Sequence, residues 1–347
     1  MAMMSDSNDS GPSVRRRFFP YREKEWVDRL GKEGLADALR QMWLIRHFEM
    51  RAESAYQHGW IGGFFHSYIG QEAIQIGAVQ AMGKQHHWWV TTYRCHALPL
   101  LLDVDVKEVM AELYGKATGN ALGRGGSMHL YAERLLGGFG IVGGHLPVAA
   151  GAAFSLKYQQ QPGIAICFLG EGAVAQGTFH ESLNLASLWK LPSLYVIENN
   201  QWGMGTHVSR ALVAQPIAEN FAKQYDMECY AIDGMDYLQC HATFSHIHRR
   251  MVEKPGPILV EAMTERFRGH SISDPGFYRS KEELQRAKER DPIILCETLC
   301  KKYHLLEEEE VKAISQEEKE RVIEAITFAE NSPCPNEGDL EKGVFAT

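Results

Sequence analysis

The chain has 347 residues, with 36 basic against 44 acidic side chains and a formal net charge of −8. This balance argues against a nucleic-acid-binding surface, and no apolar run reaches the ~20 residues needed to span a bilayer. The length accommodates one large α/β domain or two smaller ones, each with a sizeable core.

Residues 1–17 are polar, and we expect them to be disordered. The run Arg15–Arg17 with nearby serines resembles an organelle transit peptide, but two aspartates and the short length argue against one. We therefore expect a bacterial cytoplasmic protein, or one of the mitochondrial or plastid matrix if the source is eukaryotic. The seven cysteines are scattered and complete no zinc pattern, so we expect them to be reduced thiols.

The first half of the chain predicts two helices and one strand before a region dense in glycine. Apolar residues at helical spacing predict an amphipathic helix over 35–56 and a second helix over 69–82. The segment 88–96, WWVTTYRCH, predicts a buried strand that ends in polar groups. Glycine is so frequent from 115 to 145 that we expect ordered loops close to a ligand there.

Strands and helices alternate along the second half. This order predicts a doubly wound, mostly parallel sheet flanked by helices. We expect one domain over 18–330, followed by a loop-like tail over 331–347. The predicted elements are a helix over 147–158, strands near 164–169, 194–197, 228–232 and 258–263, and a helix over 305–330.

Two of these predicted strands end in polar residues. Glu171 follows one strand, Asn200 follows the next 29 residues later, and parallel strands bring both to one edge of the sheet, where such folds bind ligands. A carboxylate, an amide and the carbonyl of Trp202 are hard oxygen donors for a divalent cation. Gly170 and Gly172 leave room for a phosphate at the backbone. A plain βαβ turn is the alternative, but the spacing favours a metal–diphosphate site.

This segment resembles the thiamine-diphosphate motif, in which Gly-Asp-Gly is followed at similar spacing by Asn-Asn. Residues 35–330 as a whole resemble the alpha subunits of thiamine-diphosphate-dependent 2-oxo acid dehydrogenases, and pyruvate dehydrogenases more than their branched-chain relatives. The blocks that carry the resemblance are GQEA (70–73), TTYRCHA (91–97), GRGGSMH (123–129), GGFGIVGGHLP (137–147) and GHSISDP (269–275).

The resemblance implies roles for individual residues. His66 matches a residue that lines the substrate pocket, and His270 matches one beside the diphosphate, so both are candidate catalytic groups. Without the resemblance, Tyr93 and Arg94 are equally well explained as a surface pair. The implied cofactor contacts are Tyr93, Arg94, Gly172, Ala173 and His270 at the diphosphate, and the backbone of Gly140, Ile141 and Val142 at the aminopyrimidine ring.

The resemblance also implies the reaction, which is oxidative decarboxylation of pyruvate with thiamine diphosphate and Mg²⁺. The acetyl group passes to the lipoyl group of a dihydrolipoyl acyltransferase. Only the diphosphate half of the cofactor site is present, so a beta subunit in an α2β2 heterotetramer is expected to supply the carboxylate that faces the aminopyrimidine ring.

One residue departs from the family pattern. Glu171 stands where the family usually has aspartate, and we expect a changed metal preference because the side chain reaches further. Other interpretations are a branched-chain or acetoin dehydrogenase subunit, and a non-catalytic subunit that has lost metal binding through Glu171. A metal–nucleotide enzyme would need a GxxxxGK[ST] loop, which the sequence lacks.

Overall fold

A six-stranded, all-parallel sheet forms the centre of the fold in the computed structural model, which describes residues 18–342 and residue 344. Its strand order is β2-β1-β3-β4-β8-β7, and β5 and β6 form a separate antiparallel pair. The strands are β1 (Trp88–Thr92), β2 (Leu135–Phe139), β3 (Ala165–Gly170), β4 (Ser193–Asn199), β5 (Trp202–Gly203), β6 (Thr206–His207), β7 (Glu228–Asp233) and β8 (Ile258–Met263).

Helices cover both faces of the sheet, which confirms the predicted doubly wound α/β class. None of the described helices is long and apolar enough to cross a membrane. The helices are α1 (Glu23–Gln57), α2 (Glu72–Met82), α3 (Ala97–Leu101), α4 (Val106–Leu113), α5 (Leu146–Tyr158), α6 (Gly177–Leu188), α7 (Val208–Ala211), α8 (Ile217–Gln224), α9 (Tyr237–Glu253), α10 (Lys281–Lys288), α11 (Pro292–Lys302) and α12 (Glu308–Asn331).

Two hydrophobic cores lie on opposite faces of this sheet because successive strand residues point to opposite sides. Along β3, Ile166 and Phe168 enter the core with α1, α2 and α9, whereas Cys167 and Leu169 enter the core with α5, α6 and α8. All four of these side chains are fully buried. The near-continuous apolar sequence of the central strands follows from this burial on both faces.

Helix α1 begins at Glu23 and not at Leu35 as predicted, and α2 begins at Glu72 and not at Ile69.

Other predicted boundaries also differ from the structure. The region 115–145 is not loop throughout, because β2 (Leu135–Phe139) pairs with β1 as an edge strand. Glycine is required inside β2, since a Cβ on Gly138 would lie 2.6 Å from the Cys95 sulfur. The strand predicted over 88–96 ends at Thr92. Helix α12 begins only at Glu308, after a capping box at Glu307.

The expected disorder of residues 1–17 lies outside the described residues. Within the described residues, the chain after α12 is loop-like apart from a short 3-10 helix at Glu337–Asp339. The limits of the predicted domain stay a prediction, although both cores share the one sheet.

Helices α2 and α9 pack closely against each other at Gly77. A Cβ added at Gly77 would lie 2.7 Å from the Cβ of Cys240 and 3.0 Å from the backbone nitrogen of His241. We expect Gly77→Ala to lower the free energy of unfolding by about 1–3 kcal/mol because the two helices must separate. Urea denaturation of the isolated chain measures this change. Gly151→Ala, where no atom lies within 4 Å of the added Cβ, is the control and should not destabilise.

Candidate active site

A cavity of about 1490 Å³ opens at the carboxyl edge of the sheet. Every residue predicted for the site lines it, although these residues come from distant parts of the sequence. They are His66, Tyr93, Arg94, Gly140, Ile141, Val142, Gly170, Glu171, Gly172, Ala173, Asn200, Trp202 and His270. A separate cavity of about 1060 Å³, which includes Ile164 and Pro192 at the amino edge of β3 and β4, contains none of them.

Glu171 begins a short 3-10 helix directly after β3, and its side chain is 3% exposed. One carboxylate oxygen accepts a hydrogen bond from the backbone N–H of Asn200 at 3.3 Å. The other oxygen, Oε1, is buried and has no hydrogen-bond partner in the described part of the chain. Burial raises the pKa of Glu171 to about 7, partly offset by Arg266 and Arg94. A buried acceptor without a partner is costly, and it suits a cationic ligand.

Asn200 is oriented by two hydrogen bonds. Its amide nitrogen donates to Gln71 Oε1 at 3.0 Å, and its amide oxygen accepts from the backbone N–H of Trp202 at 3.2 Å. The carbonyl of Trp202 in turn accepts from Arg266 Nη1 at 3.4 Å. Gln71, just before α2, therefore links the GQEA block to the end of β4.

The donor set fits a hard divalent cation. Within residues 18–342, no group of three or more His, Cys, Asp or Glu side chains could hold a metal ion. A cation here would instead bind the free oxygen of Glu171, the amide oxygen of Asn200 and the carbonyl of Trp202. Phosphate oxygens would complete its coordination.

Tyr93 and Arg94 follow β1 into the cavity. The Arg94 guanidinium donates to the carbonyl of Ser67 and, at 3.0 Å, to the carbonyl of His270. The Tyr93 ring centroid lies 4.4 Å from that of His66 and 5.7 Å from that of His270. Arg94 is thus a buried cation at the cavity and also a tie between two loops that carry the histidines.

The two candidate histidines face each other. The ring centroids of His66 and His270 are 5.1 Å apart in an edge-on arrangement. Burial lowers the pKa of His66 to about 3 and that of His270 to about 4, with Arg94 adding to both shifts. Nδ1 of each ring is buried and has no partner among the described residues. Both imidazoles are therefore neutral near pH 7, with one nitrogen left for a ligand.

The loop that carries His270 is held by one carboxylate. Asp274 accepts hydrogen bonds from the backbone N–H of His270 at 2.6 Å, from that of Gly276 at 2.8 Å and from the hydroxyl of Tyr278 at 2.6 Å. These bonds lower the pKa of Asp274 against the opposing effect of burial. The loop therefore has a defined conformation at the cavity.

Several apolar side chains that line the cavity are open to solvent. Ile141 is 79% exposed and Val142 is 43% exposed, although both line the cavity. Phe64 and Met204 at the same cavity are 65% and 64% exposed. Large apolar side chains left uncovered around a cavity are typical both of ligand-binding grooves and of surfaces that contact another protein.

Arg266 and Glu198 line the cavity and were not predicted. Arg266, which follows β8, donates to the Tyr278 hydroxyl at 2.6 Å, and burial lowers its pKa to about 10. Glu198, at the end of β4, accepts from the hydroxyl of Tyr68 and from Gln75 at 3.3 Å, and burial raises its pKa to about 7. Charged residues at the carboxyl ends of predicted strands were the available signal for both.

Comparisons with known proteins agree with this geometry. The family model described as "Dehydrogenase E1 component" matches residues 40–337. The pyruvate dehydrogenase E1 component subunit alpha of Rickettsia conorii is 41% identical over 316 residues, which cover 90% of this chain and 96% of that protein. The same subunit of Rhizobium meliloti is 38% identical, covering 92% of each chain. The chloroplastic subunit alpha-3 of Oryza sativa is 38% identical, covering 91% of this chain and 76% of its own length.

The raised pKa of Glu171 gives a prediction for the chain without ligands. Between pH 4.5 and pH 7 the folded carboxyl keeps a proton that the unfolded chain has lost, so this group stabilises the fold less as pH rises. Relative to Glu171→Gln, we expect the wild type to lose up to about 1.4 kcal/mol of unfolding free energy per pH unit in this window. The histidines titrate in both proteins, so their effect on the unfolding free energy cancels when the two are compared.

Urea unfolding at intervals from pH 5 to pH 8 measures this difference. Glu181→Gln, an exposed carboxyl on α6, serves as the control and should parallel the wild type. A pH-independent difference between the wild type and Glu171→Gln would contradict the raised pKa.

Proposed function

Because the chain belongs to the dehydrogenase E1 component family, we propose that it is the alpha subunit of a pyruvate dehydrogenase. In this role it takes part in oxidative decarboxylation of pyruvate and transfer of the acetyl group to the lipoyl group of a dihydrolipoyl acetyltransferase. The observation that carries the proposal is the buried, unpartnered oxygen of Glu171 beside Asn200 in the cavity.

Different residues of the cavity would bind different parts of the cofactor. Glu171, Asn200 and the Trp202 carbonyl would hold Mg²⁺. The backbone of residues 140–142 would meet the aminopyrimidine ring. When bound, thiamine diphosphate supplies a carbon nucleophile and an electron sink for loss of carbon dioxide. The residues that would bind the diphosphate are Tyr93, Arg94, Gly170, Gly172, Ala173 and His270.

The protein's own contribution is charge, orientation and proton handling. Arg94 and Arg266 are both buried, so their positive field is weakly screened and attracts the diphosphate and the carboxylate of pyruvate. His66 and His270 are neutral, and each keeps a buried nitrogen with which to hydrogen-bond a substrate oxygen or to transfer a proton. Tyr93 packs against both rings.

The site needs a partner subunit. Of the acidic residues at the cavity, Glu198 is bonded to Tyr68 and Asp274 holds the histidine loop. Glu171 is the proposed metal ligand, so none of the three is free to face the aminopyrimidine ring. We infer that a beta subunit supplies that carboxylate.

The outer surface beside the cavity supports this assembly. Helix α5, which follows Ile141 in the chain, carries the exposed apolar side chains Val148, Phe154 and Tyr158, and Tyr158 is 79% exposed. The Phe154 ring lies 5.5 Å from that of Trp189 at the end of α6. Exposed apolar side chains on α5, together with those that line the cavity, are suited to burial against a second chain.

Activity should depend on that partner. We expect the purified chain to release no carbon dioxide from pyruvate, and the assembly co-expressed with a beta subunit to do so only with thiamine diphosphate. Asn200→Ala in the assembly serves as a matched control that should assemble but lose activity. Full turnover by the chain alone would contradict the proposal that a beta subunit completes the active site. Faster turnover of branched-chain 2-oxo acids or acetoin would reassign the substrate.

The choice of metal should depend on Glu171. The side chain is one methylene longer than aspartate, and Mg²⁺ tolerates little change in its short metal–oxygen distances. We expect the wild-type assembly to respond to Mn²⁺ and Ca²⁺ more strongly, relative to Mg²⁺, than the Glu171→Asp variant does. Half-saturating concentrations of the three ions, measured by cofactor binding, test this expectation. Identical metal profiles for the two proteins would rule it out.

A further inference from the structure

Glu112 is a fully buried carboxylate near the end of α4. One oxygen accepts hydrogen bonds from the backbone N–H groups of Ala121 and Gly123, each at 2.8 Å. The other oxygen accepts from Gly125 at 2.7 Å and from Gly126 at 3.2 Å. Four converging N–H groups satisfy both oxygens of this buried side chain and fix the loop that carries them.

The loop over 119–126 has the sequence that this contact requires. A Cβ on Gly119 would lie 2.3 Å from the Glu112 carboxylate, and one on Gly125 would lie 2.0 Å from the carbonyl oxygen of His129. Gly126 has a φ of +57°, which favours glycine. The backbone can therefore wrap the carboxylate this closely only with glycine at positions 119 and 125.

The same loop leads into the wall of the active-site cavity. Met128 and His129 line the cavity, whereas Glu112 does not. His129 Nδ1 lies 3.3 Å from the carbonyl of Gly125, and its Nε2 is 3.5 Å from the position of a Cβ on Gly140. The His129 ring is thus placed between the clamped loop and the segment proposed to meet the aminopyrimidine ring.

We propose that Glu112 is a positioning residue for this cavity. Its carboxylate clamps the loop over 119–126 and so holds Met128 and His129 against the segment at Gly140. The link to cofactor binding rests on the proposed function, but the clamp itself does not. Because Glu112 lies outside the cavity, any effect of its substitution on a bound ligand must pass through the loop.

Glu112→Gln in the assembled alpha–beta protein tests the clamp. One acceptor oxygen becomes an NH2 group, so two of the four backbone N–H groups lose their partner. Hydrogen–deuterium exchange of peptides over 119–130, measured without cofactor, should accelerate by about tenfold or more. The dissociation constant for thiamine diphosphate should rise about tenfold, while kcat at saturating cofactor stays within about twofold of the wild type.

Two further variants serve as a matched control and as a conservative substitution. Glu108→Gln makes the same chemical change on the exposed face of α4 and should alter neither exchange nor affinity. Glu112→Asp keeps the carboxylate and, should Glu112→Gln fail to assemble, must show smaller shifts in the same direction.

Unchanged loop exchange, or a lowered kcat with unchanged cofactor affinity, would overturn the proposal. If the wild-type assembly bound no thiamine diphosphate, the proposed function would fail, and the exchange measurement would still decide the clamp.

Discussion

The hydrogen bond from the backbone of Asn200 to the carboxylate of Glu171 is the contact on which the site depends. It exists because β3 and β4 run parallel in a register that pairs Gly170 with Glu198. The segments that follow the two strands therefore begin side by side at the same edge of the sheet. A change of register would separate the carboxylate from the amide. The apolar strands are buried on both faces, and this burial fixes the register that the polar residues need.

Acidic and basic side chains are both buried at this edge of the sheet, and burial disfavours their charged forms. Burial raises the pKa of Glu171 and Glu198 and lowers that of Arg266. The protein therefore keeps two carboxyls that resist ionisation beside a guanidinium that stays charged at neutral pH despite its burial, all at one cavity. A divalent cation bound to a diphosphate would complement both sets at once, which explains why the fold tolerates the cost of burying them.

Local signals predicted the sheet class and the position of Glu171 and Asn200 at one edge, whereas the other candidate residues, such as Tyr93, came from the family resemblance. All of them line one cavity, and their roles stay predictions. Glu171 and Asn200 each follow an apolar run, which marks the end of a strand. Parallel strands then bring their carboxyl ends to the same edge of the sheet. Strand β2 was missed because Gly137 and Gly138 weaken a strand pattern that only its pairing with β1 supports. Arg266 was missed because its place in the cavity depends on the fold of the loop beyond β8.

Calorimetric titration of thiamine diphosphate with Mg²⁺ into the assembled alpha–beta protein tests whether Glu171 and Asn200 hold the metal of the cofactor. We expect saturable binding at one site per alpha chain, weakened about tenfold or more by Asn200→Ala because the metal loses an oxygen ligand. Absence of binding to the wild-type assembly, or equal binding by the variant, would contradict it.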